Sequence, residues 1–143
     1  MLTAPAHLDI LDRSVEKANI WINEVAAGLE GDRREGYRAL RAYLHTLRDR
    51  LPADQNAQLA AQLPLLIRGL FWEGWQPSRT PLHYRDPIEF TERVRREAGL
   101  IGDTEAWFAV EAVARVLRRH VSDGEIDQVV RALPLSLQGL VAC

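Results

Sequence analysis

Residues 37–71 read YRALRAYLHTLRDRLPADQNAQLAAQLPLLIRGLF, and residues 107–141 read WFAVEAVARVLRRHVSDGEIDQVVRALPLSLQGLV. At a shift of 70 residues the two stretches align without a gap and are identical at ten of 35 positions. Average composition gives ~two or three identities by chance. Because a match at a fixed period is the signature of an internal repeat, we predict a duplicated structural unit. The identical pairs are Ala39/Ala109, Ala42/Ala112, Leu47/Leu117, Arg48/Arg118, Gln58/Gln128, Leu63/Leu133, Pro64/Pro134, Leu65/Leu135, Gly69/Gly139 and Leu70/Leu140.

Both stretches have the apolar spacing of α-helices. Apolar side chains recur at steps of three and four over residues 37–51, and again over residues 107–121. Pro52 limits the first of these helices because proline has no backbone N–H to donate. Pro64 and Pro134 then start further short helices, since a missing N–H costs nothing in a first turn.

Helix starts are marked by residues that cap helices. An Asp or Ser side chain at the N-cap accepts a hydrogen bond from a backbone N–H of the first turn. Glu35 and Glu125 stand three residues after two such residues and complete capping boxes. We predict N-caps at Asp32, Asp86, Asp103 and Ser122.

The first segment of the chain predicts one more helix, which Gly28 and Gly31 end. Its apolar stripe would serve either as a coiled-coil seam for a partner or as part of the core. Because the stripe spans only three heptads, we favour the core. In the second copy the register is lost near residues 95–106, after a shorter stripe of Phe90, Val94, Ala98 and Ile101. The first stripe is Leu8, Leu11, Val15, Ala18, Ile22, Val25 and Leu29.

No stretch alternates in the way that predicts a β-strand. We therefore predict an all-α fold with two tandem four-helix repeats packed into one compact helical domain, residues 1–143. Repeat one is 8–71 and repeat two is 86–141, with a linker at 72–85. A single repeat would bury its apolar stripes poorly. We expect the two copies to pack about a pseudo-twofold axis or as stacked neighbours.

The linker between the repeats is rich in aromatic side chains. Prolines and a glycine exclude a regular helix there. Trp72, Trp75 and Tyr84, together with Arg79, form a candidate interaction surface because aromatic side chains dominate interface hot spots. The alternative is that the rings lie across the junction of the repeats as internal packing, which we favour because two exposed indoles would lower solubility.

The motifs around this linker resemble a known family. Leu-Arg-Asp-Arg-Leu at 47–51, Gln-Leu-Pro at 62–64, Arg-Gly at 68–69 and Gly-Trp at 74–75 are similar to the bacterial family called domain of unknown function 2267. That family also has a later, degenerate Leu-Pro element, here Leu133-Pro134. The resemblance covers about residues 8–141. It implies a small helical bacterial protein and supplies no catalytic residues.

The sequence contains no recognisable catalytic or metal-binding motif. No two histidines have the spacing of a zinc pair, and there is no cysteine cluster, nucleophile elbow or phosphate-binding glycine loop. His45 and His120 align with Arg115 and Arg50 across the duplication, which predicts polar helix faces rather than buried ligands. We predict no catalytic residues, no metal and no cofactor, and an enzyme ranks third among the candidate functions.

Composition places the chain among ordinary globular proteins. It has 143 residues, 47% hydrophobic and 27% charged, with a net charge of −2. Met1–His7 lacks the features of a secretory signal, and no apolar run predicts a membrane span. The single cysteine, Cys143, cannot form an internal disulfide, and we read it as an incidental terminal residue. We expect a cytoplasmic protein.

The functional prediction is a non-enzymatic helical module for protein interaction or assembly, with an unidentified protein partner or a second copy. The alternative is a DNA-associated regulator, in which Arg93, Arg95 and Arg96 contact phosphates. The short helices of each copy do not favour that alternative. A recognition helix presents polar or basic side chains to the major groove, whereas residues 64–70 are nearly all apolar.

Overall fold

The computed structural model of the protein describes residues 8–142, and over this range the chain forms eight α-helices and no β-strand. The all-α prediction is therefore confirmed. The predictions for Met1–His7 and Cys143 lie outside the described residues. The helices are α1 (Asp9–Leu29), α2 (Arg33–Arg50), α3 (Ala53–Ala61), α4 (Leu65–Trp72), α5 (Pro87–Ala98), α6 (Asp103–His120), α7 (Asp123–Arg131) and α8 (Leu135–Ala142).

Three of the four predicted N-caps are confirmed. Asp32 and Ser122 accept from the backbone N–H three residues on, and Asp86 accepts from the N–H of Ile88. The prediction for Asp103 is wrong by one residue. Gly102 is the N-cap of α6, without a side-chain hydrogen bond, and Asp103 is the first helical residue, where its charge still favours the helix N-terminus.

α1 ends differently from the prediction. Glu30, not a glycine, adopts the left-handed conformation after the helix (φ 55°), and the N–H of Gly31 bonds to the carbonyl of Ala26 at 2.9 Å. Gly28 lies inside α1, where an added Cβ would come within 3.2 Å of the Cβ of Ala112. Gly28 therefore allows α1 and α6 to approach closely instead of ending the helix.

The second half of the chain repeats helix bounds of the first half at a shift of 70 residues. This relation holds for α2 and α6, for α3 and α7, and for α4 and α8. The connection from α5 to α6 (99–102) is one residue longer than that from α1 to α2 (30–32), in the region where the sequence register is lost. These bounds support the proposed duplication. The repeat boundaries themselves stay a prediction, for which superposition of the halves is the test.

The helices of the two halves pack in an interleaved way. α2 contacts α6 in the middle of the molecule, and α3 contacts α7. α1 packs against both α2 and α6, while α5 packs against both α6 and α2. Each short helix pair, α3–α4 and α7–α8, adds to the same core. The core's largest fully buried side chains are Tyr43, Phe71, Phe90, Leu40, Leu44, Leu47, Leu51, Leu59, Leu63, Ile67, Leu117 and Leu137.

Several apolar residues that the periodicity assigned to the core are exposed. Ile101 is 97% exposed because α5 ends at Ala98 and Ile101 lies in the following loop. Tyr37 and Trp107, the equivalent first positions of two stripes, are also exposed, whereas the residues just before them, Gly36 and Ala106, are buried. The core prediction for α1 holds for Ala18, Val25 and their neighbours but is wrong for the first turns. The exposed residues of that stripe are Leu8, Leu11 and Val15.

Between residues 8 and 142, no helix combines the length and the apolar character that crossing a bilayer requires.

Candidate functional site

The two tryptophans of the linker contact each other in a tilted arrangement at the end of α4. The ring centroids of Trp72 and Trp75 are 4.9 Å apart, and Phe71 meets Trp72 edge-on at 5.1 Å. The indole N–H of Trp75 donates to the hydroxyl of Thr80 at 3.1 Å. Both indoles are half-buried, and Trp72 packs against the core. Each ring thus has an internal packing role and stays partly exposed.

Tyr84, the third aromatic residue of the linker, is held between two arginines. The guanidinium carbons of Arg50 and Arg93 lie 5.8 and 5.2 Å from the ring centroid. The Tyr84 hydroxyl is buried without a hydrogen-bond partner, and burial raises the pKa of Tyr84 to about 12. Arg79, in the short 3-10 helix Pro77–Arg79, is exposed. The structure thus brings Tyr84 into the body of the protein and leaves Arg79 at its surface.

The arginines proposed for phosphate contacts each face a carboxylate on α5. Arg93 lies 2.9 Å from Glu89. Arg95 makes two hydrogen bonds to Glu92, at 2.6 and 2.8 Å, and Arg96 lies 3.7 Å from the same residue. The hydrogen bond from Arg95 lowers the pKa of Glu92. The positive charge on this helix is therefore largely matched by neighbouring negative charge.

A polar cluster joins α2, the end of α4 and α5. The ring of His45 is buried, with Nε2 2.7 Å from the carbonyl oxygen of Leu70 and Nδ1 2.5 Å from Glu97. Since a carbonyl only accepts, Nε2 carries a hydrogen and donates it. Arg41 extends the cluster with hydrogen bonds to Glu97 and Glu73, each of 3.1 Å.

The prediction that His45 lies on a polar helix face is wrong. α5 and the end of α4 cover this face of α2, whereas the aligned Arg115 on α6 is exposed. His120 agrees better with the prediction. It stacks on the buried Trp21 at 5.0 Å and lies 2.6 Å from Glu24, with its outer side exposed.

The polar cluster offers little chemistry beyond holding helices together. Thr46, which lines the adjacent cleft of about 320 Å³, has its hydroxyl hydrogen-bonded to the carbonyl of Ala42 at 2.7 Å. Within residues 8–142, no three His, Cys, Asp or Glu side chains lie close enough to hold one metal ion. The contacts of Arg41, His45 and Glu97 are therefore those of ion pairs that hold helices together.

A second surface has no counterpart in the sequence predictions. The first turns of α1 and the start of α4 expose apolar side chains next to each other, and we call this surface the α1–α4 face. Its signal in the sequence was a difference in length: α1 has 21 residues and α5 only 12, so the beginning of α1 has no equivalent helix in the other half. The exposed apolar residues of the face are Leu8, Ile10, Leu11, Val15, Ile20, Leu65 and Leu66.

A groove of about 850 Å³ runs along this face between α1 and the corner of α3 and α4. We call it the α1–α4 groove. Trp21 and His120 close one end, and Ile10, Ile20 and Leu65 supply apolar surface. Clefts that bind ligands have volumes of about 300–1,000 Å³. The other lining residues are Asp9, Arg13, Ser14, Lys17, Gln62, Leu63, Pro64 and Arg68.

A carboxylate beside the groove joins α1 to α6, the two helices that meet at its closed end. Glu24 of α1 lies 2.6 Å from His120 and 3.0 Å from Arg119, both on α6. Burial raises the pKa of Glu24, but hydrogen bonds from His120 and Arg119 outweigh this effect and the net pKa is lowered.

A comparison with protein families finds a match that covers most of the chain. The family described as uncharacterized conserved protein (DUF2267) matches residues 18–140. The chain belongs to this family. A comparison with curated proteins finds no match.

The motif residues that resemble DUF2267 mainly hold the fold together. Arg48, nearly fully buried, donates to the carbonyls of Phe71 and Glu73 at 2.9 and 2.8 Å and so satisfies the end of α4. The aligned Arg118 donates to the carbonyl of Val141 at the end of α8. Arg68 donates to three carbonyls at the corner of α3 and α4. These contacts explain the motifs by packing rather than by catalysis.

Proposed function

We propose that this DUF2267 protein is a non-enzymatic helical module that binds a protein partner through the α1–α4 face. The observation that carries the proposal is the exposure of apolar side chains on two adjacent helices. Leu65 is 50% exposed beside Ile10 and Ile20 in the α1–α4 groove, and Leu66 is 48% exposed beside Val15 in a second cleft. Exposed apolar side chains that line clefts together are typical of interaction sites, whereas singly scattered apolar residues are not.

The charge distribution supports this choice over a DNA-associated role. Phosphate binding depends on cations that can neutralise phosphates. Arg93, Arg95 and Arg96 already face Glu89 and Glu92, so they offer little free charge. The buried, partnered state of His45 similarly favours a structural role over a catalytic one.

The linker surface of Trp72, Trp75, Tyr84 and Arg79 remains a second candidate docking site. The partial exposure of its two indoles favours it. It ranks below the α1–α4 face because each ring already contacts other side chains of the same chain. Both surfaces belong to the same proposed function, and one experiment distinguishes them.

The experiment places a photo-crosslinking amino acid, p-benzoylphenylalanine, at Leu65, Arg79 or Leu135 in cells that make the protein. Leu135 is the matched control because it aligns with Leu65 across the duplication and is 84% exposed. We expect a discrete adduct with one protein from position 65 and none from position 135. In the background of Val15→Asp the adduct should disappear, while Trp75→Ala should leave it.

An adduct from position 79 that depends on Trp75 and not on Val15 would move the docking site to the linker. Absence of any adduct above the level at position 135 would contradict the proposed function. Circular dichroism on each purified variant checks that it is folded.

A further inference from the structure

The α1–α4 groove has an equivalent position in the other half of the molecule. The groove is bounded by α1, the α3–α4 corner and the C-terminal end of α6 at His120. The interleaved packing places α5, the α7–α8 corner and the C-terminal end of α2 in a similar relation, although the first turns of α1 that form one wall of the groove have no helical equivalent there. Arg50 aligns with His120 of the groove, whereas Ser136 aligns with Leu66, which lines the neighbouring cleft together with Val15.

In that other half, the linker runs beside α2 and α8. Residues 80–86 have no regular secondary structure, and three hydrogen bonds join them to these two helices. The N–H of Leu82 donates to the carbonyl of Asp49 at 2.8 Å. Arg50 donates to the carbonyl of Tyr84 at 2.9 Å, and the hydroxyl of Ser136 donates to the carbonyl of Arg85 at 2.5 Å. The fold therefore already accommodates a non-helical segment of about seven residues at this type of site.

In the first half, α1 continues straight as a helix, and no segment among residues 8–142 lies in the groove in this way. The rim of the open groove is mostly basic. Arg13 and Lys17 of α1 make no ion pair with any described residue, Arg68 of α4 already donates to three backbone carbonyls, and Asp9 is the one carboxylate among the described residues that lines the groove. This local excess of positive charge lies on a chain whose net charge is −2.

We propose that the α1–α4 groove binds an extended acidic segment of a partner protein, laid along the groove as residues 80–86 lie in the other half. The inference rests on the proposed function, since it specifies the chemistry of the partner at the same face. Apolar side chains of the segment would contact Ile20 and Leu65, and its carboxylates would contact Arg13 and Lys17. Charge pairs at such a rim give specificity and a strong dependence on salt.

The test measures peptide binding to the full chain by fluorescence anisotropy. The probe is a fluorescein-labelled peptide with the sequence of residues 80–86 carrying His83→Glu and Arg85→Glu. The control peptide has the same sequence with His83→Lys and Asp86→Lys. We expect the acidic peptide to bind at least about tenfold more tightly than the basic one, and its affinity to fall as salt is raised from about 0.05 to 0.5 M.

A pair of charge-matched protein variants locates the site. Arg13→Glu with Lys17→Glu should weaken binding of the acidic peptide about tenfold or more. Arg34→Glu with Arg131→Glu makes the same change in net charge at exposed positions outside the groove and should leave the affinity within about twofold. Both double variants replace exposed side chains, and thermal unfolding verifies that each variant is folded.

Equal binding of the two peptides, no binding, or equal losses in the two double variants would overturn the inference. If the Leu65 adduct persists while the acidic peptide does not bind, the proposed function stands and the acidic partner is wrong. If sedimentation shows a dimer that Leu65→Asp converts to a monomer, the occupant is a second copy and the inference is overturned. Loss of both the adduct and the peptide signal would contradict both proposals.

Discussion

At the scale of single residues, two tyrosines have opposite hydrogen-bonding situations. The buried hydroxyl of Tyr43 donates to the carbonyl of Leu140 at 2.8 Å, whereas the buried hydroxyl of Tyr84 has no partner. Removing the Tyr43 hydroxyl leaves the buried carbonyl of Leu140 without its donor. Removing the Tyr84 hydroxyl instead relieves a desolvation cost of about 1–3 kcal/mol. We expect Tyr43→Phe to lower Tm by about 2–4 °C and Tyr84→Phe to raise it by a similar amount.

Thermal unfolding followed by circular dichroism measures both shifts. Shifts of the same sign would contradict the prediction. A separate check uses the tyrosinate absorbance at 295 nm. Because the pKa of Tyr84 is raised to about 12, Tyr84→Phe should leave the titration below about pH 11 unchanged.

Glu24 predicts a pH-dependent contribution to stability. Its pKa in the folded protein lies below the ordinary value of 4.5 because of His120 and Arg119. A lowered acid pKa stabilises the fold at pH values above 4.5, and the contribution is lost as pH falls through the folded-state pKa. Glu24→Gln should therefore lower Tm by about 1–3 °C at pH 7 and by less at pH 3.

The control for this prediction is Glu16→Gln, on the same helix. Glu16 is exposed and makes no ion pair with any described residue. The Glu16→Gln variant should change Tm by less than about 1 °C at either pH. A loss from Glu24→Gln that is equally large at both pH values would show that packing, not charge, is responsible.

At the scale of helices, two glycines inside helices have different surroundings. A Cβ on Gly36 of α2 would lie 2.6 Å from the carbonyl oxygen of Ile22 and 2.9 Å from the Cβ of Ala26, both on α1. A Cβ on Gly69 of α4 meets nothing within 4 Å. Helix propensity alone favours alanine over glycine by about 1 kcal/mol. The neighbouring helix decides the sign of each substitution.

We expect Gly36→Ala to destabilise the protein by about 1–3 kcal/mol, because α1 and α2 must separate to admit the methyl group. Gly69→Ala should stabilise it by about 0.5–1 kcal/mol. Urea unfolding curves give both free energies. If Gly36→Ala were also stabilising, the close crossing of α1 and α2 would not be tight in solution.

What the sequence predicts well at this scale is local. Asp32, Asp86 and Ser122 are recognisable as N-caps because each hydrogen bond forms within three residues of the cap. The error at Asp103 is a single position and leaves α6 itself correctly predicted. Fold class follows from the same local periodicity and capping, without knowledge of the tertiary contacts.

What the sequence predicts poorly is which neighbour covers an apolar face. Leu11 and Val25 lie on the same stripe, yet only Val25 is buried, because the core extends along only the later part of α1. His45 is buried for the complementary reason, since α5 and α4 cover its face of α2. The α1–α4 groove could not be predicted because it depends on this unequal coverage.

At the scale of the whole molecule, the interleaved packing makes each half depend on the other. α1 contacts α6 as well as α2, and α5 contacts α2 as well as α6. Tyr43 illustrates this dependence, because its ring meets Phe90 edge-on at 5.6 Å and its hydroxyl bonds to Leu140, both in the other half. Separating the halves would expose these buried side chains to water.

The fragments 1–79 and 80–143 should therefore not fold independently. Chains of this size bury only about 60% of their unfolded surface even when complete, and each fragment would also lose its contacts with the other. We expect neither fragment to show a cooperative thermal transition, and an equimolar mixture to regain helical circular dichroism and cooperative unfolding. Two fragments that unfold cooperatively on their own would instead mean that the interleaved contacts contribute little, and that the duplicated unit is already a stable domain.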